Sequence, residues 1–264
     1  MKKNGGGTVL ITGASGGIGF ELARRFARGG CKLILISRSK EKLEQNAAEI
    51  RRESGAEVSI LAKDLSKPGA PAEIFWELSE RMMPVDILVN NAGAGVYGFF
   101  KDTDLSRETD IIELNVTALT QMCKLFLPSM MKRRNGKILN VASTAAFQAG
   151  PLMAVYFATK AYVLSFTEAI ANELKGTGVS ASVLCPGPTA SDFQTAAGID
   201  RDIKLFKLTM MGAAEVADAG YRGLMKGKTI IIPGVINKTI PFWGRLLPRK
   251  LLAAFVRFFQ EKKA

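Results

Sequence analysis

Seven short runs rich in Val, Ile and Leu recur along the chain with helical patterns between them, and this alternation leaves few folds open. The runs are Thr8–Thr12, Lys32–Ile36, Val58–Ala62, Asp86–Asn90, Lys137–Val141, Ser180–Leu184 and Thr229–Ile232. Continuous apolar strands are covered on both faces, and a strand–helix–strand order joins them in parallel. Gly17–Arg28, Glu41–Glu53 and a stretch from about Met153 to Leu174 have helical periodicity. The expected fold class is α/β: a single doubly wound Rossmann-type domain, with a mostly parallel seven-stranded sheet and helices on both faces. No linker, repeat or low-complexity segment divides the 264 residues.

In such sheets ligands bind beyond the carboxyl ends of the strands. The first strand runs into Thr12–Gly19, a loop holding Gly13, Ser15, Gly16, Gly17 and Ile18. Glycines let backbone turn tightly and approach a pyrophosphate, while the next helix offers free N–H groups and the positive end of its dipole. The second strand is followed by Ser37 and Arg38. A free ribose 2′-hydroxyl is usually held by an acid at this place. An arginine suits a 2′-phosphate through charge-assisted hydrogen bonds, so NADP(H) is expected over NAD(H). Asp64 and Leu65 follow the third strand, placed to meet the adenine.

The fourth strand ends in Asn90–Gly93. With the Thr12–Gly19 loop before it, the chain resembles the small single-domain branch of the short-chain dehydrogenase/reductase family. The resemblance runs from about Thr8 to Pro233, with Asn115, Ser143, Tyr156, Lys160 and the Pro186–Gly187 pair following in order. The glycine loop fits two family variants: Gly13, Gly17 and Gly19 match the small branch, whereas Gly13, Gly16 and Gly19 match the longer epimerase/dehydratase branch. The resemblance implies a catalytic set of Asn115, Ser143, Tyr156 and Lys160. Tyr156 is then the general acid, Ser143 orients the carbonyl, and Lys160 binds the nicotinamide ribose. Asn115 kinks its helix and holds a water in a proton path. It also implies cofactor contacts at the loop glycines, Asn91, Ala92, Gly93, Pro186, Gly187 and Thr189.

The spacing of Tyr156 and Lys160 puts both on one helix face. The Lys160 ammonium, and the positive nicotinamide when the cofactor is oxidised, are expected to lower the Tyr156 pKa. Residues from about Ala190 to Met211 are expected to form an apolar substrate lid through Phe193, Ile199, Leu205, Phe206, Leu208, Met210 and Met211, with Tyr97, Phe99 and Phe100 adding to the pocket. The substrate class this suggests is a lipophilic ketone or aldehyde, reduced to an alcohol by hydride transfer.

Composition narrows the chemistry. The chain has no histidine, which excludes Ser–His–Asp hydrolysis and His-ligated zinc; no metal site is expected. Cys31, Cys123 and Cys185 lie far apart beside apolar residues and read as packing groups. The net charge of +12 suits anionic ligands, yet no basic cluster interleaved with aromatics precedes residue 230, so nucleic acid is not expected. Met1–Lys3 leads into too short an apolar run for a signal peptide, and a cytoplasmic location is expected. Residues 1–233 are assigned to the catalytic body and 234–264 to a basic amphipathic tail of the same domain. Apolar residues at 251, 252, 255, 256, 258 and 259, flanked by Arg249, Lys250, Arg257, Lys262 and Lys263, fit either packing on the body or a partner subunit, or peripheral membrane contact through 242–263. The family resemblance suggests a homodimer or homotetramer. The alternatives to a reductase are a non-catalytic NADP(H)-binding sensor and a membrane-peripheral scaffold on the same fold.

Overall fold

The computed structural model describes residues 6–191, 193–199 and 210–261. Leu205, Phe206, Leu208, Lys262 and Lys263 lie outside the described residues. Strands β1 Thr8–Thr12, β2 Lys32–Ser37, β3 Val58–Ala62, β4 Ile87–Asn90, β5 Gly136–Val141, β6 Val179–Leu184 and, later in the chain, β9 Ile230–Ile231 form one sheet in the order β3-β2-β1-β4-β5-β6-β9. Every pairing in it is parallel. A second ribbon, β7 Thr189–Ala190 against β8 Met211–Gly212, has no counterpart in the sequence pattern because two-residue strands carry no periodicity.

Alternation along the strands feeds two cores. Val9, Ile11, Leu33 and Leu35 face one layer, where α1 Gly17–Arg28, α2 Lys40–Ser54 and α8 Ala213–Met225 add Phe26, Leu43 and Val216. Leu10, Ile34 and Ile36 face the other, covered by α3 Ala70–Glu80, α5 Leu119–Arg133 and α6 Ala154–Glu173 through Ile74, Phe126 and Val163. Burial on both faces is why these strands read as unbroken apolar runs. Local signals set the helix ends. The Ser39 hydroxyl accepts the Lys42 amide at the start of α2, and Gly55 ends that helix with φ 67°. β4 begins one residue later than its sequence pattern suggests. Asp86 instead turns its carboxylate to the Thr8 amide, 2.9 Å away.

Below the site a buried polar chain ties sheet to helices. Asn90 Nδ2 donates to Asn140 Oδ1 at 2.9 Å, and Asn140 Nδ2 donates to Thr167 Oγ1 at 2.9 Å. The Cys123 thiol lies in the same cluster, donating to Asn140 Oδ1, and burial pushes its pKa up to about 12, as befits an inert packing group. Strand order reverses between β1 and β4, so their carboxyl ends open a crevice at the switch point. Among the described residues no helix is long and apolar enough to cross a membrane.

Candidate active site

The crevice is a cleft of about 1310 Å³ running from the β2 end of the sheet to the C-terminal helices. Its first wall is the loop after β1. Gly13 and Gly17 adopt left-handed φ of 65° and 53°, which L side chains avoid. A Cβ on Gly13 would stand 2.8 Å from both Ala92 Cα and Asn91 Nδ2. Gly16, in contrast, has an extended φ of 175°. Backbone geometry therefore demands glycine at 17 and not at 16, the pattern of the small branch.

Gly13, Ser15, Gly17 and Ile18 line the cleft; Gly19 does not. A Cβ at Gly19 would run into the Gly13 carbonyl, so this glycine lets α1 pack directly under the loop. The first amides of α1 have no side-chain cap, which leaves the helix N-terminus available to an anion. Asn91 also lines the cleft, but its amide works as a brace. Its Nδ2 donates to the Thr12 and Gly13 carbonyls at 3.0 and 3.1 Å, and the Thr12 hydroxyl accepts the Asn91 and Ala92 amides at 3.0 Å each. The ends of β1 and β4 are thereby fixed together.

Ser37, Arg38, Asp64 and Leu65 line the far end of the cleft. Arg38 is exposed and its side chain has no ion-pair partner among the described residues. Lys42 and Lys63 line the same end, the latter paired with Glu73 at 2.7 Å. Asp64 Oδ1 accepts the Ser66 amide and hydroxyl at 3.0 and 2.8 Å, which closes the turn after β3 and turns that oxygen away from any ligand.

Ser143 follows β5 and caps a short 3-10 turn, Thr144–Phe147, and Tyr156 and Lys160 sit one turn apart at the start of α6; all three line the cleft. Lys160 is buried, and its Nζ donates to the Val141 carbonyl at 3.0 Å. No carboxylate pairs with it among the described residues, and burial pulls its pKa down to about 8. Nζ lies 5.7 Å from the centre of the Tyr156 ring. Here the sequence expectation is corrected. In the protein alone, burial pushes the Tyr156 phenol up to about 12, although the Ser143 hydroxyl pulls the other way by hydrogen bonding. Loss of water around the phenol outweighs any help from an ammonium that is itself desolvated.

Asn115 stands behind the cleft wall and does not line it. α4 Leu105–Ile112 runs into a π-helical turn, Glu113–Ala118, which carries Asn115 and continues into α5. Such turns widen a helix where a side chain must bond outside it. Asn115 Oδ1 accepts the Ala94 amide at 3.0 Å, and Nδ2 donates to the Ala94 carbonyl and to Thr159 Oγ1 at 2.9 and 3.0 Å. The Thr159 hydroxyl donates in turn to the Tyr156 carbonyl at 2.7 Å. Thr159 was not singled out from the sequence, where a threonine between Tyr156 and Lys160 carries no distinguishing signal.

Ala92, Gly93, Pro186, Gly187 and Thr189 also line the cleft. The Thr189 hydroxyl donates to the Gly187 carbonyl at 3.0 Å. Of the expected apolar lid, Phe193, at the start of the short helix α7 Phe193–Ala196, and Ile199 reach the cleft, Phe193 with its ring 5.3 Å from that of Tyr156. Met210 and Met211 do not line it, and neither do Phe99, Phe100 or Tyr97. Phe99 and Phe100 are exposed, and Tyr97 is engaged through its hydroxyl with the Gln260 carbonyl. The wall they were expected to supply comes from the tail. α9 Ile240–Leu246 and α10 Arg249–Gln260 roof the site through Trp243, Leu252, Val256 and Phe259. Val256 packs with Met153, Phe157 and Ile199 around Tyr156.

A family profile described as short chain dehydrogenase matches residues 7–202. The ketoacyl reductase HetN of a Nostoc species is 33% identical over 228 residues, covering 86% of this chain and 78% of that protein. A very-long-chain 3-oxoacyl-CoA reductase of Anas platyrhynchos is 35% identical over 187 residues, and the match spans 69% of this chain but only 59% of the relative. Among solved structures, a short-chain dehydrogenase from Sphingobium yanoikuyae in complex with NADPH superposes with a TM-score of 0.83 at 32% identity, over 98% of both chains.

Proposed function

The chain belongs to the short-chain dehydrogenase family, and from that premise we propose that it reduces a lipophilic ketone or aldehyde to the alcohol, using NADPH. One observation carries the reading: Tyr156 lies with Ser143 and Lys160 in a cleft whose substrate end is walled by Phe193, Ile199, Trp243, Leu252 and Phe259. The residues fit the cofactor. Cβ-free glycines and uncapped amides suit a pyrophosphate, and unpaired Arg38 suits a 2′-phosphate. The NADPH bound by the similar Sphingobium protein supports the same choice. The ketoacyl and 3-oxoacyl-CoA substrates in the relatives' names agree with an apolar chamber.

When bound, the dinucleotide supplies the hydride that reduces the carbonyl carbon. Tyr156 gives its phenolic proton to the carbonyl oxygen as the alcohol forms. A pKa near 12 keeps that proton in place at neutral pH, as an acid for reduction requires. Ser143 Oγ accepts the Ala145 amide at 3.1 Å and donates a long 3.4 Å bond to the Pro186 carbonyl, so its hydrogen can turn to the substrate oxygen and hold it beside the phenol. The phenolate left behind is stabilised by the Lys160 ammonium one helical turn away. Asn115 and Thr159 are positioning residues that fix the turn carrying Tyr156.

The test is NADPH consumption against ketones and aldehydes graded in apolar size. With one methylene worth about 0.8 kcal/mol when buried, kcat/KM should rise about fourfold per methylene until the chamber is full. Saturable NADPH binding without turnover of any carbonyl would overturn the proposal in favour of a non-catalytic sensor.

A further inference from the structure

The rim of the cleft is also an exposed apolar surface. Nine of the nineteen exposed large apolar side chains among the described residues fall between Val235 and Phe258. Trp243, Leu251 and Phe255 line the cleft and are nevertheless 51%, 61% and 58% exposed. Phe242, Leu246 and Phe258 extend the surface away from the cleft and are equally open. The exposed apolar side chains gather on one surface, the kind of patch that marks an interaction site.

α10 shows three faces. Leu252, Val256 and Gln260 point into the body. Leu251, Phe255 and Phe258, spaced i, i+4 and i+7, form an exposed apolar stripe. Lys250 and Arg257, seven residues apart, run along the far side of that stripe. Residues 234–264 carry seven Lys and Arg and a single acid, Glu261, which is already paired with Arg257 at 3.0 Å.

We propose that the outer face of α9 and α10 docks on an anionic lipid surface, so that the cleft mouth opens against the bilayer. Aromatic and aliphatic side chains beside an excess of cations over acids fit the boundary between acyl chains and acidic headgroups. A second copy fits the charge poorly, since pairing this face with itself sets cations against cations and offers no free acid. Docking depends on the tail alone. Its consequence, that a lipophilic carbonyl enters from the membrane, rests on the proposed reductase activity.

The full chain is sedimented with vesicles of phosphatidylcholine alone and of phosphatidylcholine mixed with phosphatidylglycerol. Binding should be at least about tenfold tighter to the anionic vesicles. The double variants Phe242→Glu/Phe258→Glu and Arg249→Glu/Lys250→Glu should each lose about tenfold or more of that binding, with NADPH affinity unchanged as the check on folding. The charge variant should also turn over a vesicle-dissolved ketone more slowly than wild type, and a water-soluble ketone at the same rate. Absence of wild-type binding, or equal binding by all three proteins, overturns the docking proposal. So does a dimer that the aromatic variant dissociates in the absence of vesicle binding, which would assign the face to a second copy. Vesicle binding without any carbonyl turnover would sink the reductase reading and leave the docking face standing.

Discussion

Replacing Arg38 by alanine should separate the two nicotinamide dinucleotides. Arg38 lines the cleft after β2, is exposed, and has no ion-pair partner among the described residues. Its guanidinium is therefore free to meet a 2′-phosphate without breaking a contact first. A hydrogen bond to a charged group contributes about 1.5–3 kcal/mol, and exposure to water favours the lower half of that range. Lys42 and Lys63 remain at the same end and will soften the loss. The expected cost is about 1.5–2 kcal/mol, or roughly a 10- to 30-fold rise in Kd for NADPH. NADH lacks the phosphate, and its Kd should move by less than about twofold. Fluorescence titration of both dinucleotides against wild type and Arg38→Ala measures this directly. Equal weakening of NADPH and NADH would refute the reasoning, as would a wild-type preference for NADH.

Gly13→Ala puts a side chain on a left-handed φ and against the Ala92 backbone; the two penalties together should lower stability by about 2–5 kcal/mol in denaturant unfolding and reduce NADPH binding. Lys160 predicts a pH effect. The folded protein sheds its proton near pH 8 and the unfolded chain keeps it to about 10.5, so this lysine adds stability to the cofactor-free protein from pH 8 towards 10, against the opposite pull above pH 9 of the buried Cys123 and Cys185 thiols, which hold their protons to about 12. Lys160→Met should remove that gain; an unchanged profile would show that the lysine is not desolvated. Leu252→Ala empties a position 6% exposed between α10 and the body and should cost about 2 kcal/mol in the same unfolding assay, whereas a tail not packed on its own body would leave stability unaltered.

Much of this was legible in the chain itself. Two-sided burial writes itself into β1, β2 and β4 as unbroken apolar runs, and a parallel sheet then fixes where loops must gather. Gly13 and Gly17 announce a backbone turn that other residues resist. The four-residue step from Tyr156 to Lys160 needs only helical geometry to place both side chains on the cleft.

What escaped reading depends on tertiary distance. The direction of the Tyr156 shift turns on how much water α10 and Phe193 exclude, which no spacing encodes. Phe99 and Phe100 resemble pocket residues in sequence but point outwards, because the tail already occupies the wall they would have formed. Apolar residues at 251, 252, 255, 256, 258 and 259 announced an amphipathic helix; that Leu252 and Val256 face the body and roof the cleft was not readable, since Leu251, Phe255 and Phe258 are equally apolar and face out. The resemblance implied a kink at Asn115, and the π-helical turn there is that kink; its bonds to Ala94 and Thr159, both remote in sequence, were not readable.

The central claim is that the Tyr156 phenol donates the proton that completes carbonyl reduction. Single-turnover and steady-state rates of NADPH oxidation by wild type and Tyr156→Phe, with any ketone the wild type accepts, address it most directly. The account predicts a loss of about 10²–10⁴ in kcat with the Kd for NADPH nearly unchanged, since the phenyl ring keeps its packing on Phe193 and only the hydroxyl is gone. Turnover by Tyr156→Phe within a few-fold of wild type would contradict it.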